Sequence, residues 1–523
     1  MRTPKTTPRR LGVAMTAVAL AAAACSSTSS GAAGHDPGGG FSAPTGPDAT
    51  LTLGLSRQMT SLDPGQSGSI DSDANVQATI FSSLTAMSPQ NKLVGDLATS
   101  WSQAKPTEWV FHIRSGVTFS NGDPLTASTI VWNFTRVLNP NANPVLQLGG
   151  TLQSIITHAT APNATTVDVF TKQPYLDLPY TLTTFYFTQQ QWVATHNPTL
   201  QPLGSGPYKL VSVNLENGAQ LTRNPYYYGP KPYYQNVDFK VLATEAARVA
   251  AVQTHAVDVV LQLEPDDLTQ AASVGYKTGD QPSAWNMVYR LNELKPPLNN
   301  LDVRLALNYA INKAAIAKSL LGSNIKPSPG QILVQGYDQD VNPDLLAYPY
   351  DPAKAKQLLA QAGYPHGFTL TLNNTTGTYI ASDTVAQAVA QELGQIGVKV
   401  QISDTPFPTW VDESRTPQAA DMLYIGYSSG YPGPAERLLI YTSKYSQSHY
   451  SDPTYDALVQ KVFAATTPQQ EQTYVDQATQ QFYNAANVIF LWPQPLTYAV
   501  AKNLQWTPRK EHWLLPQDIK PIS

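Results

Sequence analysis

The residues that could do chemistry in this chain fit neither a metal site nor a nucleophilic active site. The eight histidines are scattered, and no two of them stand at the spacing of paired metal ligands. The pattern His-Glu-x-x-His does not occur, and Gly-x-Ser-x-Gly occurs once, at residues 426–430, where Pro432 and Pro434 follow instead of the helix that a nucleophile elbow needs. We therefore predict a protein that is not an enzyme and that uses no metal and no cofactor. The 27 tyrosines and 9 tryptophans are suited to binding, and many of them also suit an ordinary core.

Cys25, the single cysteine, is the other side chain of chemical interest. It follows a basic start and an apolar stretch, residues 11–24, which is too short to cross a bilayer of about 30 Å. The junction resembles the lipobox of bacterial lipoproteins, except that Ala22 stands where that motif prefers leucine. We predict a signal peptide over residues 1–24 and a lipid on Cys25. The alternative is an ordinary signal peptide beside an incidental cysteine.

The segment after Cys25 has the composition of a flexible tether. Residues 26–47 are mostly Ser, Gly, Ala, Thr and Pro, which cannot bury enough surface to offset the entropy of ordering. We predict that residues 25–47 join the lipid to the folded body. The protein would then be extracytoplasmic, anchored to the outer face of the cell membrane.

The composition of the remaining chain limits its partners and its architecture. A net charge of −4 without any basic run makes nucleic acid an unsuitable partner. No cysteine follows Cys25, so a large core rather than disulfides must hold the body together. A body of this length predicts two or three packed domains.

Local patterns predict an α/β fold. Residues 51–55 alternate as a strand, and Thr126 or Ser128 is placed to cap a helix. Residues 301–321 carry apolar side chains at helical spacing, and residues 398–402 form a strand directly after a predicted helix. Such an alternation of helices and strands is typical of α/β domains.

Nine short blocks, in series along the mature chain, resemble one protein family. It is the extracytoplasmic solute-binding proteins of the peptide/nickel/opine class of ABC importers, often called family 5. Single blocks are weak evidence, but their order and spacing hold from about residue 50 to residue 515. The blocks are residues 97–101, 109–117, 119–127, 204–208, 295–298, 303–307, 351–356, 358–364 and 450–456.

The resemblance implies a two-lobed periplasmic-binding-protein fold, of type II and of the large three-domain class, with a hinge between the lobes. The domain boundaries it implies are 48–88 with 203–287 and 494–523 for domain I, 89–202 for the inserted domain II, and 288–493 for domain III. It also implies the partners, namely an ABC permease and its ATPase subunits, and a peptide or other small organic solute as the ligand. We expect a monomer.

In peptide-binding members of this family, a carboxylate in a domain III loop pairs with the α-amino group of the ligand. The corresponding loop here is residues 425–434, and the acidic position falls on Gly430. Residues 422–435 contain no Asp or Glu. Either Asp63, Glu264 or Glu436 supplies the charge, or the ligand has no buried amine.

Aromatic residues around the same loop are the predicted ligand contacts. Arg290 could bind a carboxylate with both of its terminal nitrogens, although a salt bridge inside domain III is the preferred interpretation. Core packing is the alternative for the rings. The predicted ligand-binding residues are Trp285, Tyr289, Arg290, Trp410, Tyr427, Gly430 and Tyr431.

The leading hypothesis is therefore a lipid-anchored substrate-binding receptor of an ABC importer for peptides or a peptide-sized organic solute. The alternative is a lipoprotein of the same fold that acts as a scaffold or regulator of cell-envelope synthesis. The nickel-binding branch stays open, because its metal can be carried by a small chelator.

Overall fold

The computed structural model describes residues 40–46, 48–66, 72–141, 152–375, 377–428, 432–445 and 447–522. The sequence predictions that fall on residues outside these ranges are the signal peptide, the lipid on Cys25, most of the tether (residues 25–39 and 47), and the ligand contacts at Gly430 and Tyr431. Residues 40–523 form one compact unit. None of the helices in the described ranges is long and apolar enough to cross a membrane.

The strands follow the alternating and β-branched stretches of the sequence. In chain order they are β1 (Thr50–Leu55), β2 (Thr85–Met87), β3 (Leu93–Gly95), β4 (Ala98–Lys105), β5 (Glu108–Ile113), β6 (Ile156–Asn163), β7 (Thr166–Thr171), β8 (Tyr208–Asn214), β9 (Gly218–Arg223), β10 (Asn236–Val241), β11 (Val259–Leu261), β12 (Tyr276–Leu291), β13 (Phe368–Thr375), β14 (Val398–Thr405), β15 (Met422–Tyr427), β16 (Val488–Ala501), β17 (Leu504–Gln505) and β18 (Lys520–Pro521).

Most of the helices begin at a side-chain cap or at a proline in the first turn, but Gln190–Thr195 and Ser382–Gln395 have neither. Thr126, for example, accepts a hydrogen bond from the Thr129 amide, as the sequence predicts. The helices are α1 (Ser72–Ile80), α2 (Ala127–Leu138), α3 (Leu178–Thr181), α4 (Gln190–Thr195), α5 (Glu245–Gln253), α6 (Pro265–Ser273), α7 (Leu301–Ala310), α8 (Lys313–Leu320), α9 (Pro352–Gln361), α10 (Ser382–Gln395), α11 (Phe407–Glu413), α12 (Pro434–Leu439), α13 (Pro453–Phe463) and α14 (Pro468–Ala485).

The predicted helix over residues 301–321 is two helices, α7 and α8. The apolar spacing continues across the break, but the Asn312 side chain accepts a hydrogen bond from the Ala315 amide and so starts a new helix.

A ten-stranded sheet runs through the molecule in the order β14-β13-β15-β12-β16-β11-β1-β10-β9-β8. β1 pairs in parallel with β10 and β11, and β13 pairs in parallel with β14 and β15. The two long central strands, β12 and β16, are antiparallel to each other and belong to both halves of this sheet. They are the covalent and hydrogen-bonded connection between the halves.

The pairing of β12 with β16 is irregular at its middle. The register shifts between Pro282 and Asn286, and again between Asn286 and Val288. Pro493 and Pro495 stand opposite this stretch, and proline cannot donate to a strand ladder. The ladder is therefore weakest where one half of the sheet passes into the other.

A second, four-stranded sheet has the order β4-β5-β7-β6 and lies within residues 98–171. Its apolar face does not pack alone. A single core cluster contains Phe111 and Val169 of this sheet together with Leu438 of α12 and Phe463 of α13. The small-sheet region therefore packs directly on the C-terminal helices.

Candidate functional site

The candidate site is built on the pairing of β12 with β15. Asn286 stands opposite Tyr427, and Tyr289 stands opposite Tyr424. Because successive side chains of a strand alternate, Trp285 and Tyr289 lie on one face of β12 and Arg290 lies on the other. The predicted residues of this strand are therefore split between two environments.

Arg290 is buried in a network of carbonyl oxygens and rings. Its Nη1 donates to the Gln447 carbonyl oxygen at 2.6 Å, and its Nη2 donates to the Ile440 carbonyl oxygen at 3.0 Å. The guanidinium carbon lies 4.7 Å from the centre of the Tyr427 ring and 4.5 Å from that of Tyr441. The preferred interpretation, a salt bridge, is wrong for the described residues, because carbonyl oxygens take the place of a carboxylate.

Tyr427 belongs to the same network. Its hydroxyl donates to Gln447 Oε1 at 2.8 Å, and its ring lies against Arg290. Burial raises the pKa of this phenol, so it stays a donor at neutral pH. The structure thus brings Arg290 and Tyr427 together, next to the strand end that leads into the predicted ligand loop.

Arg437, which the sequence analysis did not single out, fixes both ends of that loop. Its Nε lies 2.6 Å from Asp338 Oδ1, and both side chains are buried. Its Nη1 donates to the Tyr427 carbonyl oxygen at 3.1 Å, and its Nη2 donates to the Ala284 carbonyl oxygen at 2.8 Å. Burial raises the pKa of Asp338 to about 6, although the arginine opposes the shift. No sequence motif predicts the contacts of Arg437 with Asp338 and Ala284, because these residues lie 99 and 153 positions away along the chain.

Gly426 shows how closely β15 approaches β12. A Cβ at this position would lie 2.6 Å from the Met287 sulfur and 3.2 Å from the Tyr379 ring. A side chain here would push the two strands apart, which is the physical reason for a glycine before the loop.

Trp285 lies where several aromatic groups meet. Its ring centre is 5.9 Å from that of His512 and 6.2 Å from that of Tyr379. The side chain is 9% exposed, and its indole N–H has no hydrogen-bond partner in the described part of the chain. His512 also borders a cavity of about 10 Å³, the size of one water molecule, between β1, α1 and β11. The Tyr289 hydroxyl and Arg290 Nε are likewise without a partner in the described part of the chain, and Trp285 is the most exposed of these three predicted contacts.

Tyr289 and Trp410 are placed in the core. Tyr289 is fully buried, with its ring 5.0 Å from that of Tyr424. Trp410 is 1% exposed, and its indole N–H donates to the Asn373 carbonyl oxygen at 3.3 Å. In this arrangement neither side chain presents a surface to a ligand.

The acids proposed as replacements for the one missing at Gly430 already have partners. Asp63 is bound by Arg136 through two hydrogen bonds of 2.9 and 2.6 Å. Glu264 accepts the Ala381 amide at the start of α10 with both oxygens, at 3.0 and 3.3 Å, and burial raises its pKa to about 7. Glu436 lies in the first turn of α12 and also has an interaction of its own.

With the geometry in place, comparison with known proteins identifies the family. Residues 92–449 match the bacterial extracellular solute-binding proteins, family 5 (middle region). The chain belongs to this family. Its members are solute-binding proteins rather than enzymes, and the chain is of the type that serves ABC importers of peptides or related solutes.

Individual relatives are similar over nearly the whole chain. The glutathione-binding protein GsiB of Pectobacterium atrosepticum is 26% identical over 476 residues, which cover 87% of this chain and 90% of the relative. The substrate-binding protein CtaP of Listeria monocytogenes superposes with a TM-score of 0.82 at 19% identity, covering 92% of this chain and all of that one. DppA of Helicobacter pylori, in complex with the peptide STSA, superposes with a TM-score of 0.77 at 19% identity, covering 91% of this chain and 98% of that one. These likenesses confirm the two-lobed α/β fold of a family 5 protein.

Proposed function

We propose that this family 5 protein is a lipid-anchored receptor that closes its two lobes on a peptide or a peptide-sized organic solute and delivers it to a membrane permease. The observation that carries the proposal is the pair of strands β12 and β16. They run through both halves of the large sheet, their ladder is interrupted at the midpoint, and Trp285 lies at that point. Capture by hinge closure requires a flexible connection between the lobes, and here a predicted ligand contact lies beside that connection.

The domain division that the family resemblance implies is part of this proposal. Residues 48–88, 203–287 and 494–523 would form domain I, residues 89–202 domain II and residues 288–493 domain III. The proposed boundaries at 287/288 and 493/494 fall beside the register shifts around Asn286 and Pro493. The four-stranded sheet lies wholly within the proposed domain II.

The ligand chemistry follows from the groups that the described part of the candidate site offers. Trp285 presents a ring and an indole N–H without a partner in the described ranges, whereas the terminal nitrogens of Arg290 and the carboxylate of Asp63 already bind other groups. Residues 422–435 supply no carboxylate. We therefore propose that stacking and neutral hydrogen bonds, rather than an ion pair with a free amino terminus, dominate recognition.

The anchoring part of the proposal rests on the sequence around Cys25. A lipid there and a tether over residues 25–47 would keep a monomeric receptor at the outer face of the membrane, beside its permease and ATPase subunits. Mass spectrometry of the membrane-extracted protein tests this, because a lipid adds its mass to an N-terminal peptide that begins at Cys25. An unmodified N-terminus would contradict it.

Native mass spectrometry of residues 26–523, gently purified from a bacterial host, tests the receptor proposal. Adducts with peptide masses would support a peptide receptor, and one discrete other mass would support a receptor for a single organic solute. A bare protein that no solute pool stabilises would instead favour the scaffold or regulator of envelope synthesis.

A second measurement tests the mode of recognition. Tryptophan fluorescence titrations would compare each bound peptide with its N-acetylated form. We expect the two affinities to differ by less than about tenfold, because residues 422–435 supply no carboxylate and Asp63, Glu264 and Glu436 already have partners. A loss of affinity on acetylation well above tenfold would show that an acid does bind the amino terminus.

A further inference from the structure

The small-sheet region meets the C-terminal helices along a seam that contains carboxyl groups. Across this seam, the Tyr175 and Phe463 rings stack with centres 5.7 Å apart. Asp177, just before α3, accepts a hydrogen bond from the Ala435 amide at the start of α12, at 3.3 Å. Domain II and domain III of the proposed division therefore touch here, and Asp177 is part of the contact.

Asp177 interacts electrostatically with Asp340 and Glu471, whose segments adjoin because the Gln472 side chain donates to the Asp340 carbonyl oxygen at 3.0 Å. We call the carboxyl groups of Asp177, Asp340 and Glu471 the acidic seam. Asp177 is 3% exposed and Glu471, in the first turn of α14, is 6% exposed. Among the described residues, neither of these two forms an ion pair with a lysine, arginine or histidine. Burial without a counter-ion is costly for a carboxylate.

The other charged groups around the acidic seam do not remove this cost. Asp338 and Glu436 act on Asp177 with the same sign, and Arg437 is already paired with Asp338. The remaining titratable neighbours are the Tyr180 phenol, which faces Asp177, and Asp476 of α14, which faces Asp340.

Two ways of neutralising such a cluster are a metal ion and a proton. The described residues contain no group of three or more His, Cys, Asp or Glu that could hold a metal. Protons are left. Burial raises the pKa of Asp177, and burial together with Asp177 and Asp340 raises the pKa of Glu471.

We propose that closing the two lobes takes up protons on the acidic seam, so that the closed form is favoured as the pH falls. In an open form these carboxyls meet water and titrate near their ordinary values. In the closed form they hold their protons to higher pH. In acid, the closed form therefore buries no negative charge. Once the pH rises above the raised pKa values, closing the lobes costs free energy because the carboxyl groups are buried in their charged form.

This inference depends on the proposed function for its consequence, which is tighter solute capture in a more acidic exterior. Its test needs no ligand. Spin labels at Ser102 and Gln361, both exposed, would report the distance between the lobes in residues 26–523, which lack any native cysteine. Double electron–electron resonance would be recorded at about pH 5 and about pH 8.5.

The decisive variants are Asp177→Asn and Glu471→Gln, which keep the size of each side chain and remove its charge. Asp48→Asn and Glu216→Gln are the matched controls, because both of those acids are exposed. We expect the unsubstituted protein and the controls to show a longer mean distance at the higher pH. The double seam variant should keep the short distance at both.

Thermal unfolding of the unsubstituted protein, the double seam variant and the two controls provides a second readout. At about pH 8 the seam variant should unfold about 2–4 °C above the unsubstituted protein, and at about pH 5 the two should agree. An inter-lobe distance that does not change with pH, or that changes equally in the seam variant, would overturn the inference. Either result would leave the receptor proposal untouched, because no solute is involved.

Discussion

The wall formed by β12 and β15 and the acidic seam both bury charge, but they treat it in opposite ways. In the wall, Arg290 has two carbonyl acceptors and two rings, and Arg437 has Asp338 and two carbonyls. In the seam, Asp177 has a single backbone amide, and its charged neighbours are other acids. A buried charge with several hydrogen-bond or ion-pair partners suits a permanent structure, whereas a buried carboxyl group without a counter-ion suits a contact that forms and separates.

The largest effect should come from breaking the compensation in the wall. We expect Arg437→Met to lower the free energy of unfolding by about 3–5 kcal/mol, because it leaves the Asp338 carboxylate buried without its partner. Urea unfolding at neutral pH measures this. Arg415→Met, at an exposed position, is the control and should change little. A loss below about 1 kcal/mol in Arg437→Met would contradict the comparison.

Arg290→Met should have the next largest effect. It removes two charge-assisted hydrogen bonds and leaves the Gln447 and Ile440 carbonyl oxygens unpaired, so we expect a loss of about 2–4 kcal/mol. Arg290→Lys keeps the charge but cannot reach both carbonyl oxygens. Its free energy of unfolding in urea should lie between those of the parent and of Arg290→Met. Equal stability of the lysine variant and the parent would show that the forked geometry is unimportant.

The two predicted tryptophan contacts should separate into a binding residue and a core residue. Trp410→Phe should lower the free energy of unfolding by about 1–2 kcal/mol, because it loses a buried hydrogen bond, and it should leave solute affinity unchanged. Trp285→Phe should lower affinity about threefold to tenfold, with little loss of stability. Isothermal titration with the co-purified solute, beside urea unfolding, measures both. The reverse assignment would move the site away from β12.

The smallest effect concerns Glu264, the acid at the start of α10. Its pKa is raised to about 7 by burial from an ordinary value of 4.5, so its charge costs stability above that range and costs nothing in acid. Unfolding free energies between about pH 5 and about pH 8 should fall for the parent and fall by about 1 kcal/mol less for Glu264→Gln, after discounting for partial exposure. Parallel pH profiles for the two proteins would be evidence against a raised pKa.

Local features were predictable because they depend on neighbours in the sequence. The strand over 51–55 and the cap at Thr126 need only alternation and a hydroxyl in the right place. The same reasoning joined α7 and α8 wrongly, since apolar spacing continues through Asn312 and only the hydrogen bond from the Ala315 amide shows where the second helix starts.

The candidate site was predictable only in outline. The family resemblance pointed to the loop after β15 and to the rings around it, and the structure places Arg290 beside Tyr427 there. It could not tell that Tyr289 and Trp410 are buried, because an aromatic residue on a strand or helix looks the same whichever face it occupies. Nor could it find Arg437, which has no motif around it.

The sequence by itself determined the α/β class through local patterns, and its nine blocks carried the family resemblance that implies the two-lobed fold. Only the tertiary structure decided which charges are compensated. A carbonyl oxygen is present at every residue, so the partners of Arg290 cannot be read from residue types. The acidic seam draws on positions 177, 340 and 471, and only folding brings residues so far apart in the sequence within electrostatic reach of one another.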